Sequence, residues 1–147
     1  MPDIEIRPAT ADDFEAVARL LAELGRPAVT PETERAARDV YLRHIRRPDT
    51  ASLVAEVDSQ VVGFMSLEFR DRLNQTRPQA WIPDIIVTES ARGLGIGKAL
   101  LLRGIELARQ RGCWSVVLDS GYSRQVAHQL YRSVGMRDEG LFFQLRL

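Results

Sequence analysis

Apolar positions recur along the chain with two different periods, and the changes of period mark its elements. Ile4, Glu5 and Ile6 alternate and stop at Pro8, which predicts a short strand. Thr10 stands just before Asp12 and Asp13, and Phe14, Val17, Leu21 and Leu24 then share one face of a helix with an N-cap and acids in its first turn. Gly25 stops that helix. Residues 31–44 predict a second helix, with Pro31 in its first turn and a weak apolar face of Ala36, Ala37, Val40 and Tyr41. Residues 51–57 and 60–69 are β-rich runs around Asp58 and Ser59, a hairpin signal, and residues 71–77 are a polar loop. Residues 81–87 are apolar and β-branched, which predicts one continuous buried strand.

A glycine-rich stretch at 93–97 opens a strong helix over 99–110. Leu100, Leu101, Ile105 and Ala108 lie on its stripe, and Gly112 ends it. Residues 114–118 predict another buried strand. Residues 123–134 predict an amphipathic helix with Ala127, Leu130, Tyr131 and Val134 inward, and residues 141–147 a final strand. The order β-α-α-β-β-β-α-β-α-β fits an α/β or α+β domain with a mixed sheet. The strands at 81–87 and 114–118, joined through a helix, should run parallel with a right-handed crossover.

Composition narrows the function classes. The 147 residues suit one domain, with 45% apolar and 27% charged residues. Lys+Arg and Asp+Glu both number 20, so the basic excess expected of a nucleic-acid binder is missing. The charges are segregated, however. Residues 1–71 hold 9 basic and 14 acidic residues, whereas residues 92–137 hold 8 basic and 2 acidic. Either these are solvated helix faces, or the back half meets a small anion and the front half a cationic substrate. The single Cys113 excludes an internal disulfide and a thiolate metal cluster, and no His/Asp/Glu cluster suggests a metal. No apolar stretch is long enough for a bilayer and no secretory signal is visible, so the expected setting is cytoplasmic, with no membrane partner.

The chemistry concentrates at residues 85–100, where an apolar strand enters a helix through Gly93, Gly95 and Gly97. Such a turn aims unpaired N–H groups one way, at the positive end of a helix dipole, and suits a phosphate or pyrophosphate. A Cβ there would hold the anion off, and Arg92 and Lys98 add full charges. A P-loop fails because Ala99 follows Gly97-Lys98 and Arg92 replaces the first glycine. A dinucleotide fingerprint fails because Lys98 stands at the third glycine. The pattern [Q/R]-x-x-G-x-[G/A] is satisfied by Arg92, Gly95 and Gly97.

The run Arg92-Gly93-Leu94-Gly95-Ile96-Gly97-Lys98-Ala99-Leu100-Leu101, after a strand ending in Val87, resembles the acetyl-coenzyme A motif of the GCN5-related N-acetyltransferases (GNAT). Residues 4–13, the Val61-Val62-Gly63-Phe64 strand and the Ala127-x-x-x-Tyr131-x-x-x-Gly135-Met136 signature are similar to the same family in order and spacing. The resemblance implies a mixed, mostly antiparallel central sheet with helices on both faces and a splayed parallel strand pair at the cofactor site. It implies acetyl-CoA as co-substrate, and a primary amine of a small molecule or peptide as acceptor. Backbone groups of Ile85, Ile86 and Val87 would pair with the pantetheine arm, and the Val87 N–H would serve the oxyanion. Amides of Arg92, Gly93, Leu94, Gly95, Ile96, Gly97 and Lys98 would hold the pyrophosphate.

Tyr131 matches the tyrosine that protonates the departing thiolate; its place on an apolar stripe also suits simple packing. Asp84, a lone acid in an apolar strand, is the leading general base, with Glu68 and Asp119 as fallbacks. Pro83 stands where relatives often carry glutamate, and Arg124 where many carry an asparagine on the cofactor arm. Arg124 would reach a phosphate or start a helix in solvent, while His128 reads as surface and Cys113 as packing. A non-catalytic acyl-CoA-binding or sensing module is the alternative to an enzyme, and a nucleotide-binding domain lies outside the class. The acidic front half leans towards a cationic amine, with acceptor contacts expected from residues 25–50 and 70–80. The terminal strand at 141–147 offers a route to a homodimer.

Overall fold

The computed structural model describes residues 2–122 and 124–147. Six strands form one sheet: β1 (Ile4–Pro8), β2 (Thr50–Val57), β3 (Gln60–Arg70), β4 (Gln79–Ile82), β5 (Ile85–Val87) and β6 (Ser115–Leu118). Four helices accompany it: α1 (Phe14–Glu23), α2 (Glu34–Arg46), α3 (Ile96–Gln110) and α4 (Gln125–Ser133). The sheet order is β1-β2-β3-β4-β6, with β5 also paired to β3; every pairing is antiparallel except the parallel β4 and β6. This is the expected mixed, mostly antiparallel sheet.

Alternation along β2 and β3 sends side chains to two cores. Val54 and Phe64 meet Phe14, Val17 and Leu20 of α1 and Tyr41 of α2 on one face. Leu53, Ala55, Met65 and Leu67 meet Leu100, Leu101 and Ala108 of α3 on the other. The β2–β3 hairpin turns through Asp58 (φ 49°) and Ser59 (φ 62°), the two successive left-handed residues of a tight hairpin.

The predicted strand over 81–87 is in fact two. Between Trp81 and Ile85 the chain takes four steps where its partner β3 takes three between Glu68 and Met65, so Pro83 and Asp84 form a one-residue bulge. Proline has no N–H to extend the ladder, which is why the break falls there. The second helix begins at Glu34 and not in the proline turn at 31, because residues 31–33 are taken up in a turn closed by the Thr33 N–H on the Thr30 carbonyl at 3.1 Å. The helix expected over 123–134 is α4; Ser123 lies outside the described residues. The expected final strand over 141–147 does not form: among the described residues that segment has no ladder partner, and its apolar residues stay exposed.

The entry to α1 is fixed by a buried ion pair. Arg7 donates to both oxygens of Asp13 at 2.8 and 2.9 Å, and the Thr10 N–H donates to the same carboxylate at 2.8 Å. Asp13 is 6% exposed, and its hydrogen bonds from Arg7 hold its pKa below the ordinary aspartate value. The folded state therefore releases the proton more readily than the unfolded chain. The pair's contribution is full above the unfolded pKa of about 4 and is lost as pH falls through the lower folded value. Asp13→Asn should cost about 2–3 kcal/mol at pH 7. Urea unfolding should show that difference shrinking by pH 3.

Candidate active site

The bulge opens the sheet. Up to Ile82, β4 pairs with β6 (Ile82 opposite Leu118); beyond Pro83 the chain continues as β5, which pairs only with β3 among the described residues. The Asp84 carbonyl and the Thr88 N–H both bond across to β3, to the Ser66 N–H and the Val62 carbonyl. Strand alternation then turns the N–H and C=O of Ile85 and Val87 away from β3, to the free edge. Their side chains pack against the α3-side core, whereas Ile86 is buried against α1.

A small cleft opens beside this edge. Ile82, Pro83 and Ile85 form one wall, Leu118, Asp119, Ser120 and Gly121 the opposite one, Leu24 and Arg26 the rim, and Arg124 and Tyr131 complete it. A second opening, lined by Glu23, Ile86, Arg92, Arg124 and residues 125–127, lies towards the start of α3. Arg124 borders both. Burial pushes the Tyr131 phenol above its ordinary pKa, partly opposed by the Arg124 charge, so it holds its proton throughout the neutral range. His128 Nε2 and Ser120 Oγ, 3.0 Å apart, tie α4 to the cleft wall.

The glycine turn has the form of a cradle. Gly93 (φ 81°) and Gly95 (φ 80°) are left-handed, Gly95 caps α3, and a Cβ built on either would meet nothing within 4 Å. The first N–H of this turn bonded within the helix is that of Ala99, to the Gly95 carbonyl, which leaves Ile96, Gly97 and Lys98 as free donors by helix geometry. The Arg92 N–H already closes the preceding 3₁₀ turn on Glu89, so Arg92 enters through its side chain, whose Nε donates to the Val87 carbonyl at 3.1 Å. Gly97 serves packing: a Cβ there would lie 3.3 Å from Leu130 of α4 and 3.7 Å from Val87. Its absence lets the cradle approach the helix that carries Tyr131. Leu94 is exposed and Ile96 buried.

Asp84 sits in the bulge, bound by Arg26 at 2.9 Å, with Ser66 Oγ donating at 3.4 Å. Its neighbours Pro83 and Ile85 line the cleft, as does its partner Arg26, and Asp84 itself is not among the lining residues. Glu68 lies further along β3 beside Arg47, at 3.7 Å, away from the cleft. Asp119 is on the wall itself. Cys113 packs against the α3-side core, and burial pushes its thiol upward, away from nucleophile chemistry.

Three residues at the site carry no local sequence signal. Arg26 follows the glycine that ends α1 and reaches Asp84 across 58 positions. Glu23 accepts from Thr88 Oγ1 at 2.9 Å and the Glu89 N–H at 2.7 Å, fastening α1 to the turn after β5. Ser120 holds His128. Each is a surface-type residue in a loop or helix end, and only the tertiary fold gives it a partner. Among the described residues no group of three or more His, Cys, Asp or Glu is placed to hold a metal, and no helix is long and apolar enough to cross a membrane.

The sheet thus splits beside a glycine-lined helix entry, with the half-buried Tyr131 among the residues lining the gap. The chain belongs to the acetyltransferase (GNAT) family, whose profile matches residues 14–136. It is 29% identical over 143 residues to the aminoalkylphosphonate N-acetyltransferase of Salmonella typhimurium, covering 97% of this chain and 91% of that one. It is 29% identical over 141 residues to the glucosamine 6-phosphate N-acetyltransferase of Trypanosoma brucei brucei, covering 92% and 90%. A solved aminoglycoside N-acetyltransferase in complex with CoA has the same fold, with a TM-score of 0.81 and 20% identity over 100% of this chain and 97% of that one. The chain is accordingly an N-acetyltransferase by class.

Proposed function

We propose that the protein transfers an acetyl group from acetyl-CoA to a primary amine by direct attack in a ternary complex. The observation that carries this reading is the free edge of β5, ending at the glycine cradle on one side and facing Tyr131 on the other. When bound, acetyl-CoA supplies an activated acyl group as a thioester. The N–H groups of Ile96, Gly97 and Lys98, with the Lys98 charge, hold its diphosphate. The edge groups of Ile85 and Val87 align the arm, and the Val87 N–H donates to the oxygen that becomes negative during attack. Arg92 leaves the Val87 carbonyl to meet the arm or the diphosphate, and Arg124 is the second cation between the two openings. The amine gains the acyl group, the carbon–sulfur bond breaks, and Tyr131 gives its proton to the departing sulfur. Free thiol released from acetyl-CoA across a panel of amines tests the whole reading. Tight CoA binding with no thiol release for any amine would leave only the binding module.

Asp84 is the general base in this reading, taking the ammonium proton through water, since it is not among the residues that line the cleft. Asp84→Asn should lower kcat/KM about 100-fold. An unchanged kcat/KM, with the loss appearing in Asp119→Asn, would transfer the role to Asp119.

The acceptor is a small amine bearing an anionic substituent. The acidity of the front half does not extend to the cleft lining, whose charged side chains are Arg26, already ion-paired with Asp84, Arg124 and Asp119. The two relatives named above act, by their names, on amines that carry a phosphonate or a phosphate. A screen in which polyamines react and phosphorylated or phosphonylated amines do not would overturn this choice.

A further inference from the structure

Helix α1 ends in a Schellman motif: the Gly25 N–H donates to the Ala22 carbonyl at 3.1 Å, and the Arg26 N–H to the Leu21 carbonyl at 3.0 Å. That closure fixes the main chain of Arg26 at the rim of the cleft. Its guanidinium reaches from there to the bulge between β4 and β5. Nε donates to Asp84 Oδ1 at 3.0 Å, and one terminal nitrogen lies 2.9 Å from the same oxygen. That nitrogen also donates to the Pro83 carbonyl at 3.2 Å. The guanidinium therefore grips one carboxylate oxygen, while Oδ2 receives Ser66 Oγ at 3.4 Å. The two partners differ in their access to solvent: the Arg26 side chain is 51% exposed and that of Asp84 21%. Arg26 is free to swing into the cleft, and Asp84 is held in the bulge.

While Arg26 donates to Oδ1, a substrate ammonium finds that oxygen already engaged. A half-exposed ion pair is weakly held, however, so a stronger anion in the cleft can displace the carboxylate. A phosphonate or phosphate monoester offers three oxygens and up to two negative charges, which suit the guanidinium fork better than one carboxylate oxygen does. We propose, resting on the acceptor and base assigned above, that Arg26 is a lock on Asp84 and that the anionic group of the acceptor opens it. Such an acceptor is a zwitterion. Its anion draws the guanidinium into the cleft, and its ammonium then faces, through water, the carboxylate that Arg26 has left. One internal ion pair is exchanged for two with the substrate. The freed carboxylate takes the ammonium proton through that water before the amine attacks. An amine without an anion leaves the lock closed, so selectivity falls on kcat as well as on KM. Arg124 is the other cation of the cleft lining, but Arg26 is the one bonded to Asp84.

The first test reads binding and not turnover. Methylphosphonate, which has no amine and cannot react, is titrated by phosphorus NMR with and without saturating CoA. Wild type should bind it in both cases. Arg26→Met should weaken binding about tenfold. Asp84→Asn should tighten it roughly two- to fivefold, because Arg26 no longer has a carboxylate to leave. A gain in affinity cannot come from a damaged fold, so this arm decides the question even where Arg26→Met fails to fold. The second test reads turnover. Methylphosphonate should raise the wild-type rate of thiol release with ethylamine several-fold and should not raise that of Asp84→Asn. The proposal is overturned by unchanged or weaker binding in Asp84→Asn, or by binding lost in Arg124→Met but not in Arg26→Met. Binding abolished by CoA, or an ethylamine rate that methylphosphonate fails to raise, would overturn it equally. Absence of thiol release with every amine, beside the expected binding pattern, would instead overturn the proposed transfer and leave the lock standing.

Discussion

Tyr131→Phe is expected to lower kcat by a factor on the order of 100 to 1,000, with KM for both substrates nearly unchanged. Phenylalanine keeps the ring, so the packing against the α3-side core that Tyr131 shares with Leu130 and Val134 survives. Only the hydroxyl is lost, and with it the proton donor for the leaving sulfur. Because the effect falls on the transition state and not on ground-state binding, kcat and kcat/KM should fall together. The pH profile gives a second, independent signature. An acid is active while protonated, so the wild-type rate should fall only as Tyr131 ionises. Burial raises that pKa, which places the basic limb above the ordinary phenol value of about 10. In the phenylalanine variant this limb should disappear from the residual rate. An unchanged kcat would return Tyr131 to a packing residue, the role its place on the apolar stripe equally allows.

The balance between local pattern and tertiary context explains which parts of the fold and site were legible. The α1 boundary and the Asp58-Ser59 turn are written in residues that control their own dihedral angles or caps, so they read directly, whereas α3 begins at Ile96, ahead of the expected start at 99, because the left-handed Gly95 already caps it. The strand over 81–87 read as continuous because Ile82, Ile85, Ile86 and Val87 are uniformly apolar. The break at Pro83 depends on register against β3, which no local window contains. That break is also what frees the β5 edge. Pro83, standing where the resemblance led us to expect glutamate, thus sits at the break that shapes the site.

Asp84 was identifiable as an anomaly, an acid among apolar neighbours. Its explanation, Arg26, lies 58 positions away in a loop with no periodicity. The ion pair changes what the anomaly means, because an acid held by a guanidinium has a structural reason to be there whether or not it acts as a base. The tail shows the converse. Residues 141–147 carry a strand pattern that the described chain does not satisfy, and a period-2 pattern specifies a ladder without specifying which chain supplies it.

Gly95→Ala should weaken CoA binding by tenfold or more, measured by calorimetry, while kcat at saturating acetyl-CoA stays within a few-fold of wild type. Two effects of the new methyl must be separated. Gly95 has φ 80° and ψ 10°, and an L-residue in that left-handed conformation costs about 1–2 kcal/mol of stability wherever it occurs. The methyl itself meets no protein atom within 4 Å, so it enters open space at the mouth of the cradle, where a diphosphate must approach the N–H groups of Ile96, Gly97 and Lys98. Gly112 provides the control at the opposite end of the same helix. Its φ is 74° and a Cβ there also meets nothing, but no free helix N–H group faces it. Gly112→Ala should therefore show a similar drop in melting temperature and unaltered CoA affinity. If both variants lose affinity equally, strain in α3 is the cause and the cradle is not the diphosphate site. If only Gly95→Ala loses it, the anion sits where the main-chain donors converge. That affinity should weaken further with added salt, as an interaction between a diphosphate and a surface-exposed helix end requires.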